Sequence, residues 1–202
     1  MINYDSLVIN QYTDPFPHIT IDNFFTSEAL NSLKNNFNTN ASQNKIDGLK
    51  DQVQTLVKNN IPNLNKSSKH YTHNFRVDAS MSGWDTNSSE LLRDTHADGP
   101  SKYFQCLVYL YPTGVTSLND VNDGRLELME CVSEGEMDYN TSQFEVSKIL
   151  PYTDNRAVAW QSSYFSAHRF YNCKQGRRTI TFSMVDIDNE QNFWNQRITG
   201  EI

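Results

Sequence analysis

Cysteine is scarce in this sequence. Its 202 residues include three, Cys106, Cys131 and Cys173, an odd number with no CxxC or zinc-type spacing. That argues against a disulfide-stapled scaffold or a cysteine-rich zinc domain, and reduced thiols in a cytoplasmic protein are the expectation. Long apolar runs are missing too. No stretch of 18 apolar residues exists, so no spanning helix is expected. The opening MINYDSLVINQYTD has neither the basic region nor the apolar core of a signal peptide. Cations are the minority charge: 17 Lys and Arg against 24 Asp and Glu give a formal net charge of −7. A nucleic-acid partner is therefore not expected, because such affinity rests on cationic contacts with phosphates. Oligomeric state leaves no mark in the sequence.

What is present suits a sheet protein. Phe and Tyr number 11 and 10 against three Trp, and such residues are enriched in strands. A single domain over 1–202 is expected, large enough to bury roughly 70% of its unfolded surface without a metal or disulfide staple. Residues 15–65 read as supporting structure. PFPHITIDNFF has alternating Ile19 and Ile21, a short strand. Thr26 or Ser27 can cap a helix carrying Leu30, Leu33 and Phe37 on one face. Residues 38–47 read as polar loop. Leu49, Val53, Leu56 and Val57 then mark a second amphipathic helix, stopped near Pro62. From about residue 70 to 186 the pattern changes to HNFRVDAS, KYFQCLVYLY, GRLELME, RAVAWQ and RRTITFSMV, separated by Gly, Asn, Asp and Pro. Short strands with turn signals predict a sandwich or barrel. The fold class is α+β, with N-terminal helices supporting a jelly roll. Leu107, Val108, Leu126, Leu128, Val158 and Ile180 are the expected core, and the acidic stretch from Ser133 to Asp138 reads as a solvated loop.

Chemistry concentrates in a few residues. His96 and Asp98 form an H-x-D pair; on a strand, i and i+2 share a face and can bind one ion. Alone the pattern is common. His168 supplies a third ligand 70 residues later, and two His plus one carboxylate make the facial triad of non-haem iron(II), which leaves three coordination positions open. Nine residues beyond comes Arg177, in a strand whose Arg177, Thr179, Thr181 and Ser183 alternate with Arg178, Ile180, Phe182 and Met184. Arg177 thus shares a face with hydroxyls and is the preferred carboxylate receptor. Arg178 is the alternative, placed at the edge of the apolar face with its head in water.

In that order these segments resemble the iron(II)- and 2-oxoglutarate-dependent dioxygenases, most of all the prolyl-4-hydroxylase-like branch. The resemblance covers about residues 15–185. It is carried by PFPHITIDNFFTSEAL, by THADGPSKYFQCLVYLYP with Tyr109–Leu110, and by Asp123–Gly124–Arg125–Leu126. Pro151, Asn155–Arg156, His168 and Arg177 complete it. Asp123 departs from the family, standing where the first glycine of a Gly-Gly pair is usual.

The resemblance implies a double-stranded β-helix with Fe(II) held by His96, Asp98 and His168. It implies 2-oxoglutarate and O2 as cosubstrates, with ascorbate a further candidate. The far carboxylate of 2-oxoglutarate would meet Arg177, with Tyr109 as hydroxyl partner and Thr179 beside it. The implied reaction decarboxylates 2-oxoglutarate to succinate and hydroxylates an unactivated C–H bond. Asp98 favours hydroxylation, since halogenating relatives lack that carboxylate. The branch's default substrate is a prolyl residue in a peptide; a small metabolite stays open. Substrate loops are expected at 78–95, 112–122 and 130–150. His70, His73 and Arg93 are candidates for lining the pocket, whereas His18, Trp84, Trp160 and Trp194 read as ordinary structural residues. A non-catalytic jelly-roll binding module, a cupin-type metalloenzyme and a dealkylating relative are the competing readings.

Overall fold

The structure, a computed structural model, describes residues 1–61, 75–84, 90–98, 102–133, 143–162 and 166–187. His70, His73, Trp194 and residues 134–138 of the acidic stretch lie outside them.

The N-terminal third follows from capping and periodicity. Strands β1 (Val8–Tyr12) and β2 (His18–Asp22) pair antiparallel. Helix α1 (Ser27–Asn35) starts at Thr26, whose side chain accepts from the Ala29 N–H, and it buries Ala29 and Leu33. Residues 38–47 are not a loop. Helix α2 (Asn40–Asp47) lies there, opened by a reciprocal capping box between Thr39 and Ser42. It buries only Ser42 and Ile46, too few apolar positions to show a period. Helix α3 (Lys50–Asn60) buries Val53, Leu56 and Val57, and the chain turns extended at Ile61, as the residue before a proline must.

Eight further strands follow among the described residues. They are β3 (Phe75–Trp84), β4 (Leu91–His96), β5 (Lys102–Leu110), β6 (Leu126–Ser133), β7 (Gln143–Leu150), β8 (Ala157–Gln161), β9 (His168–Tyr171) and β10 (Arg177–Asp186). A six-stranded sheet runs β1-β2-β8-β5-β10-β3 and a four-stranded sheet runs β4-β9-β6-β7. Every pairing is antiparallel. The result is a β-sandwich of jelly-roll type with three helices among the described residues. Of the expected substrate loops, only 112–122 is free of strand: β3 and β4 take much of 78–95, and β6 and β7 take both ends of 130–150.

Alternation sorts the six-stranded sheet into two faces. Phe104, Cys106 and Val108 of β5, with Ile180, Phe182 and Met184 of β10, pack against Leu33, Ile46, Val53 and Val57 of the helices. Each fully buried large aliphatic or aromatic side chain contributes roughly 1.5–3 kcal/mol, so this layer supports the sheet without help from a ligand. Between the sheets lie Tyr109, Leu126, Leu128, Leu150, Tyr152, Val158 and Trp160. Five of the six expected core residues are fully buried. Leu107 is only half-buried, because its face opens into a cavity. The departure at Asp123 is tolerated because the positive φ of +70° falls on Gly124, where a Cβ would come within 2.8 Å of Tyr152. Asn155 and Arg156 hold the N-terminal segment: the Asn155 side chain bonds both backbone groups of Phe25, and Arg156 forks onto Asp22 at 2.6 and 3.0 Å.

Candidate metal centre

His96 closes β4 and His168 opens β9, and the two are direct partners across that ladder. Directly opposed residues share a face, which places the imidazole rings 4.3 Å apart. Asp98 lies two residues past the end of β4, not on it. The turn of the chain after His96, rather than strand alternation, brings its carboxylate in. One ligand atom from each of the three residues lies within 4.8 Å of the others.

Both imidazoles are set up to coordinate. Nδ1 of His96 lies 2.8 Å from the Asp94 carbonyl, and Nδ1 of His168 lies 3.0 Å from the Ser166 carbonyl. A carbonyl only accepts, so each Nδ1 carries the proton and donates it, leaving Nε2 with a free lone pair. Burial holds the His96 pKa down to about 4 and lowers that of His168. Both rings are therefore neutral near pH 7, the state a metal requires. For Asp98, burial pushes the carboxyl up, but His168, Lys102 and the Gln105 hydrogen bond outweigh it and leave it below its ordinary range.

Asp98 is held from three directions. Gln105 Nε2 donates to Oδ1 at 3.1 Å, Lys102 Nζ approaches the same oxygen at 3.4 Å, and Trp160 Nε1 donates to Oδ2 at 3.3 Å. Ser183 Oγ donates to Gln105 Oε1 at 2.6 Å, which turns the amide so that its NH₂ faces Asp98. The register explains the alignment: Trp160 pairs with Gln105, and Gln105 pairs with Ser183, one row across β8, β5 and β10. The Trp160 ring also lies 4.7 Å from that of His168. Trp160 is thus more than packing, and Gln105 escaped notice because it sits inside an apolar run. The odd-numbered face it shares with Leu107 was the available signal.

A cavity of about 370 Å³ contains the triad, and Arg177, Thr179 and Thr181 line it together with Trp84, Leu107 and Phe170. Arg177 is 2% exposed; among the described residues its Nη2 has no hydrogen-bond partner of good geometry, and its Nε reaches only the Gly124 carbonyl at 3.5 Å. Its guanidinium carbon lies 4.8–5.9 Å from the rings of Phe170, Tyr109, Trp84 and Tyr152. Among the described residues no carboxylate pairs with it. Tyr109 is fully buried against Arg177, and among the described residues its hydroxyl has no hydrogen-bond partner of good geometry. Arg178 points to the other face, where its guanidinium carbon lies 5.0 Å from the Phe37 ring and Nη1 donates to the Lys34 carbonyl. Its head rests on protein while the residue stays only part-buried. Arg93 lines the cavity as an exposed residue. His18 is fully buried in β2, opposite Trp160 in the ladder, with Nδ1 bonded to the Phe16 carbonyl.

Fold and site together define an antiparallel jelly-roll-like sandwich with a His–Asp–His cluster in its cavity. No family model matches the chain, and no curated protein matches it. Among solved structures it is similar to one reported for prolyl 4-hydroxylases from Phytophthora capsici, with a TM-score of 0.51 at 14% identity. The match covers 85% of this chain and 59% of that one, and at this identity it speaks to the fold. No helix among the described residues is long and apolar enough to cross a membrane.

Proposed function

We propose that this chain is an Fe(II)- and 2-oxoglutarate-dependent dioxygenase, built on a double-stranded β-helix, that hydroxylates an unactivated C–H bond. One observation carries the reading. Three metal-competent side chains within 4.8 Å share a cavity with a buried guanidinium that, among the described residues, meets no carboxylate and leaves Nη2 without a hydrogen-bond partner. The donor set fits iron(II), since two neutral imidazoles and one carboxylate suit a divalent ion of intermediate softness. The buried unpaired guanidinium fits the far carboxylate of a dicarboxylic cosubstrate, because a lone buried cation is costly until an anion meets it.

When bound, the iron supplies the redox chemistry that couples decarboxylation of 2-oxoglutarate, to succinate and CO₂, with transfer of an oxygen atom into the substrate. The protein's own groups do the rest. His96 and His168 would present Nε2 to the ion, each oriented by its Nδ1–H bond to a backbone carbonyl. Asp98 would be the third ligand, kept ionised and aimed by Gln105 and Trp160. Arg177 would fix the cosubstrate at its far end. Thr179 lies beside it on the cavity wall, and the buried Tyr109 hydroxyl would provide a second donor. Leu107, Trp84 and Phe170 keep that end of the cavity poor in water, which strengthens the charge pairing. The substrate is a small molecule or a prolyl residue.

The test is succinate formation from 2-oxoglutarate in air with added Fe(II). Turnover that needs both and is lost in Asp98→Ala supports the reading. Tight binding of iron and 2-oxoglutarate, with no succinate across a metabolite and peptide panel, would favour a binding module instead.

A further inference from the structure

The cavity's charge runs against that of the molecule. The chain carries 24 acidic and 17 basic residues, yet the described residues lining the cavity include three cations, Arg93, Lys102 and Arg177, and one carboxylate, Asp98. Arg177 is buried at the inner end. Arg93 is exposed, and the Lys102 side chain is 34% exposed, so these two stand where the cavity opens.

They come from opposite sheets. Arg93 lies on β4, paired across the ladder with Phe170 of β9, which also lines the cavity. Its stem therefore runs along the inner face and its head reaches the opening. Lys102 begins β5 in the other sheet. Both line the cavity that holds the triad, and Lys102 stands beside Asp98. Among the described residues neither is fully engaged. No carboxylate among the described residues pairs with Arg93. Lys102 stands 3.4 Å from Asp98, longer than the roughly 2.7–2.9 Å of a strong charge-assisted bond, and two of its three N–H donors have no partner among the described residues.

We infer that the cavity opening is a binding site for a small anionic substrate, whose carboxylate or phosphate group is held between Arg93 and Lys102. The inference rests on the dioxygenase reading in assigning Arg177 to the cosubstrate and Asp98 to the metal, which leaves Arg93 and Lys102 for a second anion. A cavity of about 370 Å³ is near the lower end of the roughly 300–1,000 Å³ typical of small-molecule sites. Holding a cosubstrate as well, it suits a compact metabolite better than a polypeptide. Two cations facing one opening also concentrate anions there despite the acidic surface. Apolar Leu92 lines the same stretch of β4 as Arg93, next to where the substrate's carbon skeleton would lie.

The test uses four probes of matched shape: 3-methylbutanoate, 3-methylbutyl phosphate, 3-methylbutanamide and 3-methylbutylammonium. Each is titrated into the protein holding Mn(II) and 2-oxoglutarate under nitrogen and followed by ligand-observed NMR. One or both anions should bind about tenfold or more tightly than the amide, as expected for a charge-assisted contact, and the ammonium should bind most weakly. Whichever anion leads identifies the acidic group. In Arg93→Gln combined with Lys102→Gln, the anion-to-amide ratio should fall to near one. Equal binding of anions and amide to the wild type, preference for the ammonium, or a ratio unchanged in the double variant would each overturn the inference. So would displacement of 2-oxoglutarate by the anion, which would place it at Arg177. If Mn(II) and 2-oxoglutarate do not bind at all, the dioxygenase reading fails. The ratio is then measured on the metal-free protein, where its presence or loss still decides whether the opening selects anions.

Discussion

Replacing Arg177 with methionine should separate cosubstrate binding from folding. The guanidinium is 2% exposed, has an unpartnered Nη2 and is surrounded by four aromatic rings. Losing one side of a buried charge pair costs roughly 3–5 kcal/mol, which is on the order of a few hundred- to a few thousand-fold in 2-oxoglutarate affinity. Stability should move far less. Methionine fills similar volume and removes a buried cation that lacks an anionic partner, while giving up ring contacts worth up to about 2 kcal/mol when desolvated. The metal-free variant should therefore unfold within about 2 kcal/mol of wild type. The assay is thermal unfolding with Mn(II), with and without 2-oxoglutarate. Ligand at a hundred times its Kd adds about 2.7 kcal/mol to the wild type, or about 5–11 °C for a chain of this size. Arg177→Met should show almost none of that rise, and Arg178→Met should keep it. A full ligand-induced rise in Arg177→Met would refute the argument, and its transfer to Arg178 would mean that the faces of β10 are misassigned.

Three further outcomes follow from the packing. Trp160→Phe keeps a ring against His168 but loses the N–H to Asp98, and Gln105→Leu loses the amide; each should weaken Mn(II) binding roughly 10–100-fold, read by calorimetry, with little change in the far-UV spectrum. Burial lowers the His18 pKa from 6.5 to about 4, so between those values the unfolded chain binds more protons than the folded one. The neutral ring's contribution is present above pH 6.5 and is lost as pH falls toward 4. Metal-free protein should lose about 2 kcal/mol between pH 7 and 5 on account of this residue, and urea unfolding of His18→Gln should lack that share. Gly124→Ala should destabilise by about 1–3 kcal/mol, since φ is +70° and the new Cβ meets Tyr152; denaturant midpoints at constant slope read this.

The sequence reveals most where one face is buried and the other is not. Strand β10 alternates hydroxyls and Arg177 with Ile180, Phe182 and Met184, so its two faces were legible, and with them the separation of Arg177 from Arg178. Helices α1 and α3 show because Leu33, Val53 and Val57 recur at helical spacing. Helix α2 does not, since a capping box rather than an apolar stripe starts it. Strands β1 and β7 lie at sheet edges, and β7 leaves Val146 and Ile149 exposed. Little burial leaves little pattern. The triad was legible as residue types at a spacing. Its support was not, because Gln105, Ser183 and Trp160 are far apart in the chain and meet only through the register of three strands. Leu107 was misread as core for the same reason: an aliphatic on an inner face looks alike whether it meets another sheet or a cavity.

The central claim is that His96, Asp98 and His168 form one iron site that prepares the cavity for 2-oxoglutarate. Anaerobic calorimetry of Fe(II), followed by 2-oxoglutarate, tests it most directly. One Fe(II) per chain should bind, 2-oxoglutarate should bind tightly only to the iron-loaded protein, and His168→Ala should lose both while staying folded. Tight 2-oxoglutarate binding without iron, or unchanged iron stoichiometry in His168→Ala, would contradict it.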